Sequence, residues 1–417
     1  RLIIINLRKT KTNESLNRKI NMKPQTYVYF FAIFLVGVYV CAYDMYISAL
    51  PLLQNDFAVN VGQSQLTLTL FVIAGAIFAI PAGLISDHFG RKKTLILYCV
   101  IVIIGSIVCL LSQSILAFYI GRILQGIGAS GLYILAVALP KDMLTGNTYV
   151  KTWQSLTLLF YLAPSLAGFI GGYIVYYGGW EWVFNGVVLV ALLALILIAI
   201  YFKEIPTAAT EVKTSSRKKF FSIASNTQFL SYCYITSAAW AGMSIFYICT
   251  PYIVITTLGF NTIVYGWLSF LLIFFGALAR WINIRWLNGL MSYEQSAYSF
   301  SFVAVLSGIL FVSAYFLPAH YAIYLIGLSA ILFGFSSALV SVNTSTMAFL
   351  LIDKSHSAVA SSIYGLMIDL IVALSLIFAN LMRANLILLG AMIAVFYIIA
   401  IMLLMKFKEP TATTIHV

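Results

Sequence analysis

From Val187 to Ile200 the chain runs through valine, leucine, isoleucine and alanine without one polar side chain. A run that is apolar on every side suits a helix in lipid, whereas a barrel strand would alternate in polarity. A bilayer core takes about 20 apolar residues per helix. By that measure the sequence offers twelve spans, roughly 27–50, 65–85, 93–113, 115–140, 151–177, 183–203, 228–255, 263–283, 295–316, 320–350, 358–382 and 384–407. Only 9% of the 417 residues are charged and 62% are hydrophobic, with a mean hydropathy of +1.00. Soluble chains carry about 25% charge, so a soluble enzyme is excluded. The expected fold is an all-α membrane protein of twelve transmembrane helices in two six-helix bundles.

The charge is lopsided, with 24 Lys+Arg against 12 Asp+Glu. Numbered along these spans, all but two cations fall on one side. They cluster before Lys23, at Arg91–Lys93, at Lys141 and Lys151, and in the central connection around Lys213–Lys219. Arg280 and Arg285 are placed between spans 8 and 9, Lys354 between spans 10 and 11, and Lys406 and Lys408 after span 12. The exceptions are Arg122, inside span 4, and Arg383. Basic residues sort to cytoplasmic loops, so both termini are expected in the cytoplasm. Dispersed flanking cations of this kind also dispose of a nucleic-acid partner. The five cysteines lie within apolar stretches without a close CxxC pair, and read as small core residues.

Residues 1–26 form a basic arm. Met22-Lys23-Pro24 looks like a natural start, so 1–21 read as an upstream extension or a disordered arm. The expected bundles are 27–203 and 228–407, joined by a Thr-, Ser- and Lys-rich cytoplasmic linker at 204–227 and followed by a tail at 408–417. Pro51 and Pro251 stand at matching places, each at the outer end of the first helix of its half. Parallel half-repeats with a site between them are a common secondary-transporter design.

Three ionisable residues lie well inside spans: Asp44, Arg122 and Asp369. A charge at mid-bilayer costs at least ~2.5–3.5 kcal/mol, so such groups usually face a cavity and act there. Asp44 and Arg122 each lie about six or seven residues from the outer end of their spans, roughly 10 Å down. On neighbouring helices they would be level and could pair. A carboxylate whose protonation follows its exposure is what proton coupling requires. The alternatives are a structural ion pair for Asp44 and Arg122, and a packing residue near Ser361 or Ser362 for Asp369.

Around Asp44, Tyr39, Tyr43 and Tyr46 repeat at helical spacing. With Tyr133, Tyr161, Trp240 and Tyr247 they would give a central cavity suited to bulky, partly apolar and cationic ligands. Gln125 and Asn343 are its polar candidates. Lipid-facing or interfacial positions are the alternative for any one of these rings.

The loop Gly83-Leu84-Ile85-Ser86-Asp87-His88-Phe89-Gly90-Arg91-Lys92-Lys93 calls for a left-handed turn at Gly90. It resembles the GxLaDrxGrkk loop of the major facilitator superfamily. Gly121-Arg122-Ile123-Leu124-Gln125-Gly126-Ile127-Gly128-Ala129 resembles the helix-4 motif of that family's proton-coupled members. Asp44-Met45-Tyr46-Ile47-Ser48-Ala49-Leu50-Pro51 looks like the first helix of its twelve-helix drug:proton antiporters of the bicyclomycin-resistance type. The resemblance covers most of the first half, and mainly topology in the second.

This resemblance implies an alternating-access exporter of the bacterial inner membrane. It implies a cytoplasmic gate at Gly83, Asp87, Gly90 and Arg91, and coupling of proton and substrate through Asp44 and Arg122. Four positions depart from the pattern. His88 and Glu181 stand where arginines are usual, and Ser48 replaces a proline. The antiporter-like stretch keeps Pro164, Gly171 and Gly172 but has Gly168 where a second proline is expected.

Gly126–Gly131 fits GxGxxG, but the glycines lie inside an apolar helix and serve close packing. The chain holds no GxxxxGK[ST], which excludes ATP-driven transport by this chain, and no HExxH or clustered histidines. No catalytic residue, metal or cofactor is expected, the proton being the coupling ion. Expected partners are a small-molecule substrate and the bilayer, with the chain monomeric. The reading is proton-coupled export of drugs or other amphipathic compounds. A metabolite or siderophore exporter, or a proton-coupled nutrient importer, is the alternative; from another class, a non-transporting membrane sensor.

Overall fold

The computed structural model describes residues 23–204, 223–352, 357–381 and 385–407. The arm at 1–21, most of the 204–227 linker, Arg383 and the 408–417 tail lie outside the described residues, as do the side chains of Asp87, Tyr161 and Asp369. Among the described residues the chain is all helical, without strands. Its long helices are α1 (Pro24–Tyr43), α2 (Val61–Phe89), α3 (Arg91–Leu110), α4 (Ile115–Met143), α5 (Gly146–Gly178) and α6 (Trp180–Tyr201). They continue as α7 (Thr227–Pro251), α8 (Thr262–Ile282), α9 (Tyr293–Ser313), α10 (Ala319–Leu350), α11 (Ser357–Leu381) and α12 (Leu386–Lys406). Eleven helical stretches among the described residues are long and apolar enough to cross a membrane.

Polar caps set where several of these helices begin. Asn60 and Ser292 close reciprocal boxes with Gln63 and Gln295, and Asn226, Asn261 and Asn385 accept from first-turn amides. Each cap satisfies an amide that would otherwise be orphaned, a need that grows in a low-dielectric setting. Single glycines at positive φ, Gly90 (91°) and Gly179 (80°), turn α2 into α3 and α5 into α6.

Helix α4 packs on α1, α2 and α3, and α10 packs in the same way on α7, α8 and α9. Helix α3 meets α6 as α9 meets α12. The repeat extends to single atoms. A Cβ on Gly126 of α4 would overlap the Phe71 carbonyl on α2, and one on Gly334 of α10 would overlap the Leu272 carbonyl on α8. Phe71 and Leu272 stand at the same remove from their capping asparagines, Asn60 and Asn261. The two sets of six meet where α5 lies on α8 and α2 on α11.

Both first helices break near one end. Helix α1 gives way to a 3-10 turn, Met45–Ala49, before a short helix at Leu50–Asp56; α7 passes into a π-helical turn, Tyr252–Thr257. This end, away from Pro24, is called the far end below. The outward surface is apolar: on α6, Leu189, Leu193, Ile196 and Ile200 are exposed while Val183, Val187, Ala191, Ala194 and Ile198 are buried. A face of that kind needs lipid around it.

Candidate functional site

Asp44 caps α1 at its break. Its backbone N–H donates to the Val40 carbonyl at 2.8 Å, and the 3-10 turn begins directly after it. Helix α5 crosses this break so closely that a Cβ on Gly171 would overlap the Met45 carbonyl. The Asp44 side chain is buried. It lies within electrostatic reach of Tyr43, of Tyr133 on α4, and of Tyr247 and Tyr265 on α7 and α8. The carboxylate thus sits among phenol hydroxyls drawn from both sets of helices.

The pairing with Arg122 expected from their depth does not form. Arg122 is fully buried and points to the other side of α1. Its Nη1 donates to the Ala42 carbonyl at 2.9 Å and to Gln125 Oε1 at 2.7 Å, and its Nε to the Thr67 carbonyl at 3.4 Å. The guanidinium lies 4.1 Å from the Tyr46 ring centroid and 4.6 Å from that of Phe71. Oxygens and ring faces solvate the cation, and Nη2 is buried without a hydrogen-bond partner. Asp44 keeps helical backbone angles (φ −78°, ψ −40°), so at about 3.6 residues per turn it stands nearly opposite Ala42, the residue whose carbonyl Arg122 takes.

The same break separates the three tyrosines. Tyr39 and Tyr43 stack at 5.9 Å, and Tyr39 meets Tyr133 at 5.0 Å, with Phe71 and Phe160 closing the cluster. These three tyrosines are half-buried and suited to line a cavity. Tyr46 is not among them. It is buried between Phe118, Phe184 and Arg122, its hydroxyl 2.5 Å from Thr67 Oγ1. Gln125 is likewise internal, donating to Ser106 Oγ at 2.6 Å. Asn343 is buried in a knot with Asn283 (3.0 Å) and Ser296 (2.7 Å) that ties α10 to the turn after α8 and to α9. Trp240 is half-buried on α7, and Tyr161 and Asp369 have side chains outside the described residues.

The antiporter-like stretch of α5 forms the seam between the two sets. A Cβ on Gly168 would stand 2.9 Å from the Tyr247 hydroxyl and 2.6 Å from Ser269 Oγ, and one on Gly172 would stand 2.6 Å from the Thr262 carbonyl. Thr262 Oγ1 donates to the Gly172 carbonyl at 2.7 Å, and Tyr247 Oη to the Pro164 carbonyl at 3.3 Å. Gly168, where the resemblance expects proline, is therefore a place where α7 and α8 both press on α5. Further bonds across the seam join Ser64 to Tyr252, Gln65 to Cys249 (3.6 Å) and Asn380 to Thr69 (3.2 Å). All of these lie toward the far end.

At the opposite end, Gly90 adopts the left-handed turn read from the sequence, and a methyl placed on Gly83 would meet nothing within 4 Å. Arg91 pairs with Asp142 at the end of α4, Nε to Oδ2 at 2.9 Å, and its Nη1 donates to Ser86 Oγ at 2.7 Å. Glu204 accepts from the Lys92 amide at 3.3 Å. The sequence reading missed Asp142 and Glu204. Their signal was present, as acidic residues at the ends of spans 4 and 6 that share a side with Arg91 and Lys92. Arg280, inside the span read as 263–283 though counted with the cations that follow it, lies in the last turn of α8, and the chain continues through a π-helical turn to Leu290. Among the described residues no three of His, Cys, Asp and Glu gather as a metal site.

The sequence matches the Major Facilitator Superfamily over residues 32–376. It is 27% identical over 339 residues to an uncharacterized transporter of Rickettsia felis, covering 79% of this chain and 83% of that one. It is 28% identical over 227 residues to the multidrug resistance protein MdtL of Shigella dysenteriae, covering 54% of this chain and 58% of MdtL. Among solved structures, a bacterial homolog of the human lysosomal transporter Spinster, inward-facing and unoccupied, superposes with a TM-score of 0.71 at 13% identity, over 94% of this chain and 100% of that one. A POT family transporter in complex with 5-aminolevulinic acid gives 0.70 at 14%, over 91% and 96%. At such identities the structural likeness speaks for the fold. The family match spans most of the sequence, and with it the conclusion follows: this chain belongs to the Major Facilitator Superfamily and is a transporter rather than an enzyme.

Proposed function

We propose that this transporter exports amphipathic small molecules, drugs among them, in exchange for protons across a bacterial inner membrane. In this reading the twelve helices are twelve spans in two bundles, 27–203 and 228–407, that rock about a central site, with both termini in the cytoplasm and the chain a monomer. The observation that carries it is Asp44: a buried carboxylate at a helix break, at the meeting of the two bundles, with no ion-pair partner among the described residues. Such a group costs least when protonated or when a cationic ligand replaces the proton. Proton and substrate then compete for one site, and antiport follows.

Helices α5 and α8, and α2 and α11, are bonded together toward the far end. With the termini in the cytoplasm, the end held by these bonds is the outer one. The likeness to MdtL over 227 residues supports a drug-like substrate. Inward proton flow supplies ~2.3 kcal/mol per charge for each 100 mV. Arg122, solvated by fixed oxygens and rings, is the standing charge beside the site, and Asp369 is a second candidate proton carrier.

Counterflow in proteoliposomes tests the reading. Vesicles preloaded with unlabelled tetraphenylphosphonium should take up the labelled cation, and an imposed proton gradient should drive its net movement against the proton. Exchange that ignores the gradient would point to facilitated transport, and no exchange under any gradient would contradict the proposal.

A further inference from the structure

Helix α8, Thr262–Ile282, has 21 residues and so reaches about 31 Å at 1.5 Å per residue, the thickness of a hydrocarbon core. The chain then runs on through the π-helical turn Asn283–Leu287 to Leu290, at headgroup level. Asn283 fixes this turn from inside, buried in its knot with Asn343 and Ser296. The other side is bare. Ile284 is 75% exposed, Trp286 54% and Leu290 78%, with Arg285 exposed between them. Trp281 and Trp286 stand edge to face, their ring centroids 5.1 Å apart. Residues five apart in an α-helix point about 140° away from each other, and the wider π turn brings them to one face. Trp267, Phe274 and Trp281 are exposed at every second turn of α8, so the pair continues a lipid-facing stripe. Counted from the capping asparagines, Ile80, Leu84 and Ile85 of α2 stand where Trp281, Arg285 and Trp286 do, and α2 has no π turn. The rings, the cation and the turn are features of the second bundle at these positions.

We propose that Arg285, with the Trp281–Trp286 pair, docks the headgroup of an anionic phospholipid in the leaflet at this end. The stripe on α8 lays acyl chains against Trp267 and Phe274, and the same lipid's headgroup then falls at the turn. Arg285 makes no hydrogen bond or ion pair to the described residues. The nearest acidic residue along the chain, Glu294, is half-buried in the first turn of α9. A guanidinium offers a planar fork of N–H donors that matches a phosphate, and charge-assisted bonds of that kind are the strong ones. Indole rings suit the layer between acyl chain and headgroup, apolar in body with one N–H to donate. A zwitterionic headgroup brings the same phosphate with an ammonium beside it, which offsets the gain from the arginine. An anionic headgroup has no such penalty. The site depends on the chain crossing a bilayer and not on what it transports.

A local quenching measurement tests this. Leu290→Cys carries a bimane at the edge of the face, and the five native cysteines are buried or half-buried, so the label goes to the new thiol. The full chain is reconstituted in phosphatidylcholine bilayers. Quenching by 5-doxyl phosphatidylglycerol is compared with quenching by 5-doxyl phosphatidylcholine. Half-quenching should need about fivefold less of the anionic lipid. Arg285→Gln should abolish the difference, Arg285→Lys should keep most of it, and Arg285→Glu should make phosphatidylcholine the better quencher. Lys93→Gln, at an exposed cation on the same end of the first bundle, should change nothing. Equal quenching by the two lipids, or a preference that survives Arg285→Gln, overturns the proposal. If that variant is not monodisperse, Arg285→Lys and Arg285→Glu decide, and the same preference in both overturns it. A preference lost equally in Lys93→Gln would mean diffuse surface charge, and one removed by millimolar inorganic phosphate would mean a site for soluble anions. Either result overturns it too. No transport enters the measurement, so failed counterflow would leave this site standing, and a lost lipid preference would leave the export reading standing.

Discussion

Arg122 donates to the Ala42 carbonyl, two residues before Asp44, and still makes no ion pair with the Asp44 carboxylate. The guanidinium lies under the Tyr46 ring, whereas the carboxylate is within electrostatic reach of Tyr43, Tyr133 and Tyr247. The cation is solvated by fixed groups, Ala42, Thr67 and Gln125 and the rings of Tyr46 and Phe71.

Stability should therefore respond unequally to the two residues. Arg122→Lys loses the planar fork and the stacking on Tyr46 and Phe71, and should cost about 2–3 kcal/mol. Asp44→Asn should change stability by under about 1 kcal/mol, because no ion pair is broken. Thermal unfolding in detergent measures both. A large loss of similar size in each would argue for a pair that the structure does not contain.

Glycine substitutions should sort by what a methyl would meet. Gly126→Ala and Gly334→Ala push into the carbonyls of Phe71 and Leu272, and each should cost about 1–3 kcal/mol. Gly186→Ala on α6, with nothing within 4 Å, should instead stabilise the helix by about 0.5–1 kcal/mol. The same melting series compares them.

Cys249 reports on the seam. It is buried, with Gln65 Nε2 donating to its sulfur, beside the bond between Ser64 and Tyr252. Tyr252→Phe removes one hydrogen bond, worth about 1 kcal/mol or roughly fivefold in the opening equilibrium. Alkylation of Cys249 by a maleimide should accelerate by about that factor, in a background where the other four cysteines are serine. An unchanged rate would mean that the seam does not hold the far end closed.

Arg91 and Asp142 are both partly exposed, at 13% and 20% of their side-chain surface. A double-mutant cycle with Arg91→Ala and Asp142→Ala should give a stability coupling of under about 1 kcal/mol. If the loop between α2 and α3 acts as the proposed gate, transport should suffer more than stability, because the pair ties that loop to the end of α4. Coupling well above that figure would make it a fold-holding bridge.

Much of this architecture is legible in the residues. The apolar runs mark where the helices lie, since in lipid the length of a run decides more than its pattern. Gly90 is readable because a turn between two helices without a loop needs positive φ. The helix starts are harder to place: Val61 opens α2 on the Asn60–Gln63 box, and a polar first turn hides from an apolar count. The break after Asp44 has its signal in Pro51, whose missing N–H cannot bond the Ile47 carbonyl four residues back, and it defeats the expectation for Tyr46. Gln125 and Asn343 look like cavity residues but satisfy buried neighbours, which only the packing of α3, α4, α9 and α10 reveals. Arg280 goes the other way. A cation near the end of an apolar run reads as a loop marker until the helix is seen to continue past it.

The central claim is competition between proton and substrate at Asp44, and proton release tests it most directly. Saturating rhodamine 6G, added to the unbuffered detergent-solubilised protein with a pH indicator present, should release protons at mildly acidic pH, and its affinity should fall as the pH is lowered. Asp44→Asn should abolish both the release and the pH dependence while still binding dye, though more weakly. Release of the same number of protons from Asp44→Asn would contradict the account.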